Sequence, residues 1–428
     1  MAAWFENPGS PTARTRSSRA ARGQFCSLLP PPAVVELLPT WLAPNLITLL
    51  GTVGALAGWA ALAWHCPALA GDAPRWAYAV NAILSVVYLH LDCLDGKQAR
   101  RTGSSSPLGQ LFDHGCDALV LVWQVTGGLM ATGAGAAGPP ALALAGAVVG
   151  FLVWMVSHWE EYHTGTMVYG GRWWGLTESL YSLAAVSMVT AVVGPDLWRT
   201  PLIVVPAALA PPLLAPPSIT LASLATVLAA VAAMPQIVGV LRRTLASASE
   251  RSSSSRRDGD GDKELGLMAA VSQLGALVGM VALGALLVHG TPRAPAWPPA
   301  PTPGVVGAGS AADPARAVVL LHLSTWGVHN ALQASRLIVA HMCKVPFRPS
   351  RSGLAILAGY LLLREGGGIS SSSSLAAPAA LFAVLTGVYA HYISVTISEL
   401  RRGLGLRAVF LIEDRTRATP PSRRRKGG

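Results

Sequence analysis

Long apolar segments alternate with short polar connections along most of the chain. Most of these segments have close to the roughly 20 residues that a helix needs to cross the hydrocarbon core of a bilayer. The pattern predicts an all-α fold, a polytopic integral membrane helix bundle with about ten transmembrane helices. The predicted spans are Trp41–His65, Trp76–Leu91, Leu111–Met130, Ala141–Ser157, Leu176–Val193, Ser218–Val240, Leu265–Val288, Val318–Ala340, Gly353–Leu363 and Leu375–Ile397.

The composition agrees with a membrane protein. Of the 428 residues, 52% are hydrophobic and 12% are charged, whereas about one quarter of the residues in a soluble globular chain are charged. The five cysteines are scattered without CxxC spacing. This distribution argues against a disulfide framework and against a zinc site.

The basic residues predict the orientation in the membrane. With the N-terminus in the cytosol, all but five of the 32 lysines and arginines lie on the cytosolic side, as the positive-inside tendency requires. We therefore expect both termini to be cytosolic, with an N-terminal tail at 1–40, a membrane domain at 41–400 and a basic C-terminal tail at 401–428. The Arg- and Ser-rich N-terminal tail also resembles a transit peptide, but its charge fits a cytosolic tail.

Three connections have low-complexity composition, and we expect them to be mobile linkers. Pro195–Pro217 and Pro292–Pro314 are rich in Pro, Ala and Gly, and Ser247–Asp262 is rich in Ser, Arg and Asp.

Four aspartates lie between the end of the second predicted span and the first turns of the third. Asp92 and Asp95 are three residues apart, and Asp113 and Asp117 are four apart, so each pair lies on one face of a helix. The helix of the second span is expected to continue past Leu91 and to carry the first pair on its cytosolic end. Two facing pairs would form a cage of hard oxygen ligands, which suits Mg²⁺ or Mn²⁺ better than zinc.

These carboxylates are open to three interpretations. They could form a structural charge network, although four acids without a cation would repel one another. They could serve an ion or proton pathway of a transporter, although they cluster at one membrane face. They could also bind metal for chemistry on a phosphorylated substrate, and Gly96 and Gly109 favour this alternative because they leave room beside the carboxylates.

The full pattern is D-x2-D-G-x2-A-R-x8-G-x3-D-x3-D, from Asp92 through Asp117. It resembles the signature of the CDP-alcohol phosphatidyltransferase family. The aspartate-rich motifs of membrane prenyltransferases lack the second half of this pattern. Within that family, the eukaryotic choline/ethanolamine phosphotransferases have a segment similar to residues 96–117, which read GKQARRTGSSSPLGQLFDHGCD. Gly103 and Gln110 differ from the more common Asn and Glu at these positions. The resemblance runs from about Leu38 to Arg402.

The resemblance implies an enzyme that transfers phosphocholine, phosphoethanolamine or both from the CDP-alcohol to the hydroxyl of diacylglycerol, with release of CMP. Other acceptors of the family, such as inositol, are an alternative, and a transporter with a carboxylate cation site is an alternative from another class. The resemblance also implies a homodimer in the endoplasmic reticulum or Golgi membrane, with the active site facing the cytosol and no nucleic-acid partner. Choline and ethanolamine are not distinguished by the sequence.

Site residues follow from the same resemblance. Asp92, Asp95, Asp113 and Asp117 would hold two Mg²⁺ or Mn²⁺ ions. The CDP-alcohol would be bound by Gly96, Ala99, Arg100 and Gly109, with the planar guanidinium of Arg100 on phosphate. Asn45 would add a polar contact to the CDP-alcohol, and a purely structural role at the helix start after Pro44 is its alternative. A head-group site could be formed by Trp159, Glu160 and Tyr162, through cation–π and carboxylate attraction, although an interfacial aromatic belt explains the aromatic residues equally well.

Two residues are candidates for the general base. Asp117 is the usual candidate in the family, but a carboxylate that binds metal is a poor base. A histidine has an unperturbed pKa of about 6.5, which suits a base at neutral pH. His114 lies about 100° from Asp113 and about 60° from Asp117 around an ideal helix, so it can face the acceptor while the acids face metal. We favour His114, with a role in orienting a metal ligand as the alternative.

Overall fold

The computed structural model describes residues 32–67, 69, 73–134, 140–168, 170, 174–204, 218–258, 266–289, 317–369, 375–405 and 409–410. This part of the chain is predominantly helical. Its helices are α1 (Pro32–Glu36), α2 (Pro44–His65), α3 (Arg75–Arg101), α4 (Pro107–Ala131), α5 (Pro140–Thr164), α6 (Leu176–Val193), α7 (Asp196–Arg199), α8 (Leu221–Asp258), α9 (Leu267–His289), α10 (Ala317–Cys343), α11 (Arg351–Glu365) and α12 (Ala376–Leu404). Two short strands, β1 (Pro201–Val204) and β2 (Ser218–Thr220), pair antiparallel.

The helices coincide with the apolar segments of the sequence. Within the described ranges, ten helices have 15 residues or more, and each overlaps one of the predicted spans. Six of these, α2, α3, α6, α8, α9 and α12, are long and apolar enough to cross a membrane. The prediction of an all-α membrane protein is therefore confirmed.

The turn between α3 and α4 is defined by local sequence. Helix α3 continues past Leu91 to Arg101, as predicted, and the chain then reverses at Gly103, whose φ is +66°. Gly and Asn are the residues that tolerate this left-handed conformation, so the Gly in place of the family's usual Asn preserves the turn. Ser106 caps α4 by accepting a hydrogen bond from the Gly109 amide, and Pro107 occupies the first helical position, as helix starts favour.

Helix α10 lies at the centre of the bundle. Most of its residues are buried, and it packs against α4, α5 and α12. Gly327 allows this close packing, because a Cβ there would lie 2.4 Å from a methyl carbon of Val122 on α4. On the opposite side, Gly284 of α9 lies against the indole of Trp326, which is itself 1% exposed. Small residues thus let helices approach closely, as is common in membrane bundles.

The prediction that Ser247–Asp262 is a mobile linker is wrong as far as Asp258, because α8 continues to that residue. The Ser252 hydroxyl donates to the Ala248 carbonyl at 3.0 Å, and the Arg251 guanidinium donates to the backbone carbonyl of His163 on α5. Docking against α5 therefore overrides the linker-like composition.

The other low-complexity segments are described only in part. Eight of the first ten residues of Pro195–Pro217 form α7 and β1 rather than a featureless linker. Residues 205–217, the connection Pro292–Pro314, residues 259–262, the tail segment 1–31 and the basic segment 411–428 lie outside the described residues.

Candidate active site

The four aspartates of the signature come together where α3 ends and α4 begins. Oxygen atoms of Asp92, Asp95 and Asp113 all lie within 4.8 Å of one another. Asp92 is also within hydrogen-bonding reach of both Asp113 and Asp117. The short turn at 102–106 folds α4 back beside α3, so that the two pairs face each other.

This cluster fits a divalent metal ion. Asp95 is only 3% exposed, and Oδ1 of Asp113 is buried without a hydrogen-bond partner. Buried carboxylates at this spacing repel one another, and a buried acceptor without a donor is costly. A hard cation that prefers oxygen ligands would remove both penalties.

Two hydroxyl groups from outside the signature donate to these carboxylates. The Thr48 hydroxyl on α2 donates to Oδ2 of Asp95, and the Tyr88 hydroxyl on α3 donates to Oδ1 of Asp117. Thr48 is 2% exposed and Tyr88 is 3% exposed. Sequence reasoning missed both residues, although Tyr88 precedes Asp92 by four residues and so shares its helix face.

The residues predicted to bind the CDP-alcohol lie around the two signature glycines. A Cβ at Gly96 would lie 3.5 Å from a guanidinium nitrogen of Arg100, and a Cβ at Gly109 would lie 3.5 Å from Oδ1 of Asn45. Arg100 is exposed and Ala99 is half-buried. Arg100 and Asn45 are therefore held beside the carboxylates by α3 and α2, where they can reach an anionic ligand.

His114 of α4 belongs to a second cluster of side chains that could hold a proton or a cation. Ligand atoms of His114, His158 and Glu161 lie within 4.8 Å of one another. The rings of His114 and His158 are 5.6 Å apart, and Nδ1 of His158 is 3.6 Å from Oε2 of Glu161. The structure thus places His114 beside two residues of α5, His158 and Glu161, that sequence reasoning did not assign to the site.

Glu161 lies beyond the predicted span Ala141–Ser157, and its charge is stabilised locally. Burial raises the pKa of its carboxyl group, but the His158 and His114 imidazoles lower it and dominate, so that the pKa falls to about 2. Glu161 is therefore an anion at neutral pH, beside two imidazoles. The Glu161 carboxylate can stabilise a proton that the His114 imidazole has accepted.

The three predicted head-group residues differ in their surroundings. Trp159 is fully buried in the core. Glu160 is 1% exposed and pairs with Arg243 of α8, with Nη2 and Oε2 3.1 Å apart. The Tyr162 hydroxyl accepts a hydrogen bond from the Phe347 amide at 3.1 Å. The carboxylate of Glu160 thus already has a cationic partner.

The chain after α12 returns to the site. The Val409 carbonyl accepts a hydrogen bond from Nδ2 of Asn45 at 2.7 Å. The rings of Phe410 and Phe112 meet edge to face with centroids 5.5 Å apart, and Phe112 is the residue before Asp113. The segment 409–410 therefore lies against Asn45, which is predicted to bind the CDP-alcohol, and against the neighbour of Asp113.

Part of the chain is similar in sequence to known proteins. The sequence profile of the CDP-alcohol phosphatidyltransferase family matches residues 41–211. Cholinephosphotransferase 1 of Xenopus laevis is 39% identical over 178 residues, which cover 40% of this chain and 43% of that protein. The human cholinephosphotransferase 1 is 37% identical over 178 residues, with 40% and 43% covered.

A CDP-alcohol phosphatidyltransferase class-I family protein of Dictyostelium discoideum, described as uncharacterized, is 40% identical over 166 residues. That stretch covers 38% of this chain and 39% of the Dictyostelium protein. The chain therefore spans about two fifths of the length of each of these relatives.

Proposed function

Residues 41–211 belong to the CDP-alcohol phosphatidyltransferase family, and from this premise we propose that the protein transfers phosphocholine, phosphoethanolamine or both from the CDP-alcohol to the hydroxyl of diacylglycerol. The products are CMP and phosphatidylcholine or phosphatidylethanolamine. The relatives named cholinephosphotransferase support choline as a substrate.

The observation that carries this proposal is the carboxylate cluster at the junction of α3 and α4. Asp92, Asp95, Asp113 and Asp117 would hold two Mg²⁺ or Mn²⁺ ions, which supply charge neutralisation at the diphosphate. Arg100 contacts a phosphate, and Gly96, Ala99 and Gly109 leave room for the nucleotide. Asn45 adds an amide beside Gly109.

The chemical step is phosphoryl transfer. The diacylglycerol oxygen attacks the phosphorus that carries the amino alcohol, and the bond from that phosphorus to the oxygen of CMP breaks. The hydroxyl proton must leave during attack, and His114 accepts it as general base. The nearby carboxylate of Glu161 stabilises the protonated form of the imidazole.

Asp117 is the alternative base, but its position argues for another role. Its Oδ1 accepts the Tyr88 hydroxyl, and its carboxyl group is within hydrogen-bonding reach of Asp92. These contacts suit a metal ligand better than a proton acceptor. Trp159, Glu160 and Tyr162 stay predictions as a head-group site.

The proposal includes a topology of ten spans with both termini and the active site in the cytosol. The basic residues Lys97, Arg100 and Arg101 at the end of α3 support this orientation. The N-terminal tail (1–40), the membrane domain (41–400) and the C-terminal tail (401–428) are proposed on the same grounds. We also propose a homodimer in the endoplasmic reticulum or Golgi membrane.

A transporter with a carboxylate cation site is the alternative from another class. It would use ionisable groups spread across the bilayer, whereas the four aspartates here cluster at one junction of two helices. Their arrangement favours a fixed metal site.

The test uses purified protein in detergent with diacylglycerol and Mg²⁺, given CDP-choline or CDP-ethanolamine separately. We expect CMP and phospholipid to form in equal amounts, chelation of the metal to stop both, and added Mg²⁺ or Mn²⁺ to restore them. Asp113→Ala should abolish turnover, and Asp196→Asn, which alters an exposed aspartate of α7, should not. Folded protein that turns over neither donor would refute the proposal, and the ratio of the two rates would identify the substrate.

A further inference from the structure

The hydroxyls of Thr48 and Tyr88 connect three helices through two of the acids. Thr48 on α2 reaches Asp95 on α3, and Tyr88 on α3 reaches Asp117 on α4. Each aspartate pair of the signature therefore has one member that accepts a buried hydroxyl donor. Neither hydroxyl belongs to the signature pattern.

A hydroxyl donor on one oxygen restricts how a carboxylate can turn. Asp95 accepts Thr48 through Oδ2 and Asp117 accepts Tyr88 through Oδ1, which leaves the second oxygen of each group for another partner. Without such donors, like charges in a buried cluster turn away from one another. Hydrogen bonds to charged acceptors are roughly twice as strong as neutral ones, so two of them can hold the acids in place.

Burial makes this restraint effective. Both hydroxyl-bearing residues are at most 3% exposed, so water does not replace the donor when it is removed. The Thr48 side chain is further fixed because its hydroxyl lies 3.2 Å from the Pro44 carbonyl. Tyr88 packs with Ala55, Leu89 and Val120 in a small apolar cluster.

We propose that Thr48 and Tyr88 are positioning residues that orient Asp95 and Asp117 for binding a divalent cation. The inference rests on the proposed function, since it assigns the carboxylates to a metal, but it concerns the affinity for the ion and not the reaction. Loss of a group that orients a metal ligand typically weakens metal binding by about 10- to 100-fold. We expect Tyr88→Phe and Thr48→Val each to raise the Kd for Mn²⁺ by at least about tenfold.

The experiment measures Mn²⁺ binding to purified protein in detergent, without substrate, from the electron paramagnetic resonance signal of free Mn²⁺. Tyr78→Phe is the matched control for Tyr88, because Tyr78 is a fully buried tyrosine of the same helix whose hydroxyl accepts the Ala73 amide. Thr126→Val is the control for Thr48, because Thr126 is a buried threonine of α4 bonded to Trp59 and Val122. Both controls should keep the parent Kd, and Thr48→Ser should restore it.

The outcomes separate the possibilities. Parent-like Mn²⁺ affinity in both Tyr88→Phe and Thr48→Val would overturn the proposal, and so would equal weakening in Tyr78→Phe, which would indicate general loosening. A parent protein that binds no Mn²⁺ would overturn it as well. If Tyr88→Phe does not fold, the proposal is tested by the Thr48 variants alone: Thr48→Val should weaken Mn²⁺ binding and Thr48→Ser should not. Weakened Mn²⁺ binding in a protein that turns over no CDP-alcohol would support the positioning role and refute the proposed reaction alone.

Discussion

Gln110 of α4 donates a hydrogen bond to Glu161 of α5, with 3.4 Å between Nε2 and Oε1. Position 110 is the place where the resembling family more often has Glu. A glutamate here would put a second carboxylate beside Glu161, near His114. The glutamine thus reduces the negative charge around the proposed base.

The first prediction concerns Gln110→Glu. The added negative charge favours the protonated form of a nearby imidazole, and a base must be unprotonated to act. The acid limb of the profile of kcat/KM against pH should therefore move to higher pH, by about half a unit given that Gln110 is exposed to screening solvent. Gln110→Ala should leave the pH of the acid limb unchanged. An unchanged acid limb in Gln110→Glu would show that a charge at position 110 does not affect the protonation of His114.

The second prediction concerns His114 and Glu161. Removal of a general base lowers kcat by about 10²- to 10⁴-fold, so His114→Ala should lower kcat by a factor in this range. Glu161→Gln should lower kcat by a smaller factor, because it removes the carboxylate that stabilises the protonated His114 imidazole. Neither change should weaken Mn²⁺ binding, because neither side chain belongs to the carboxylate cluster of Asp92, Asp95 and Asp113. Near-normal kcat in His114→Ala would transfer the role to Asp117 or to solvent.

The third prediction concerns the ion pair between Arg243 and Glu160. Arg243→Ala leaves a carboxylate that is 1% exposed without its cation. Breaking a fully buried ion pair lowers the free energy of unfolding by about 3–5 kcal/mol. Because the Arg243 side chain is 44% exposed, we expect a smaller loss of about 1–3 kcal/mol. The loss would be measured as a lower thermal unfolding temperature. The double variant Arg243→Leu with Glu160→Gln should recover much of this loss.

The same variants test the head-group prediction for Glu160. If Glu160 is structural, the double variant should keep the parent KM for CDP-choline and for CDP-ethanolamine. A several-fold rise in KM for both donors, in protein as stable as the parent, would instead show that the carboxylate binds the head group.

The fourth prediction concerns the segment after α12. Ending the chain at Gly405 removes the Val409 carbonyl that fixes the Asn45 amide and the Phe410 ring that packs on Phe112. The KM for the CDP-alcohol should rise several-fold, because an unrestrained amide loses more freedom on binding, while kcat changes less. Removal of residues 411–428 alone is the control, and an unchanged KM in the longer deletion would exclude a role for this segment.

The sequence by itself determined the resemblance to the family and the helical membrane architecture. Apolar segments of bilayer length predict helices wherever the backbone must satisfy its own hydrogen bonds, and the signature from Asp92 to Asp117 identified the family, which the comparison confirmed for residues 41–211. Helical spacing also placed each aspartate pair on one face. These are local properties, so they can be read along the chain.

Only the tertiary structure decided which distant residues meet the site. Thr48 is 47 residues from Asp95, and Val409 is 364 residues from Asn45, and such contacts depend on how helices rotate and cross. Glu161 rather than Glu160 faces His114 for the same reason, since neighbouring residues of a helix point about 100° apart. The Ser-rich end of α8 is helical because Arg251 docks on α5. Packing between helices selected these partners, and no local pattern encodes that choice.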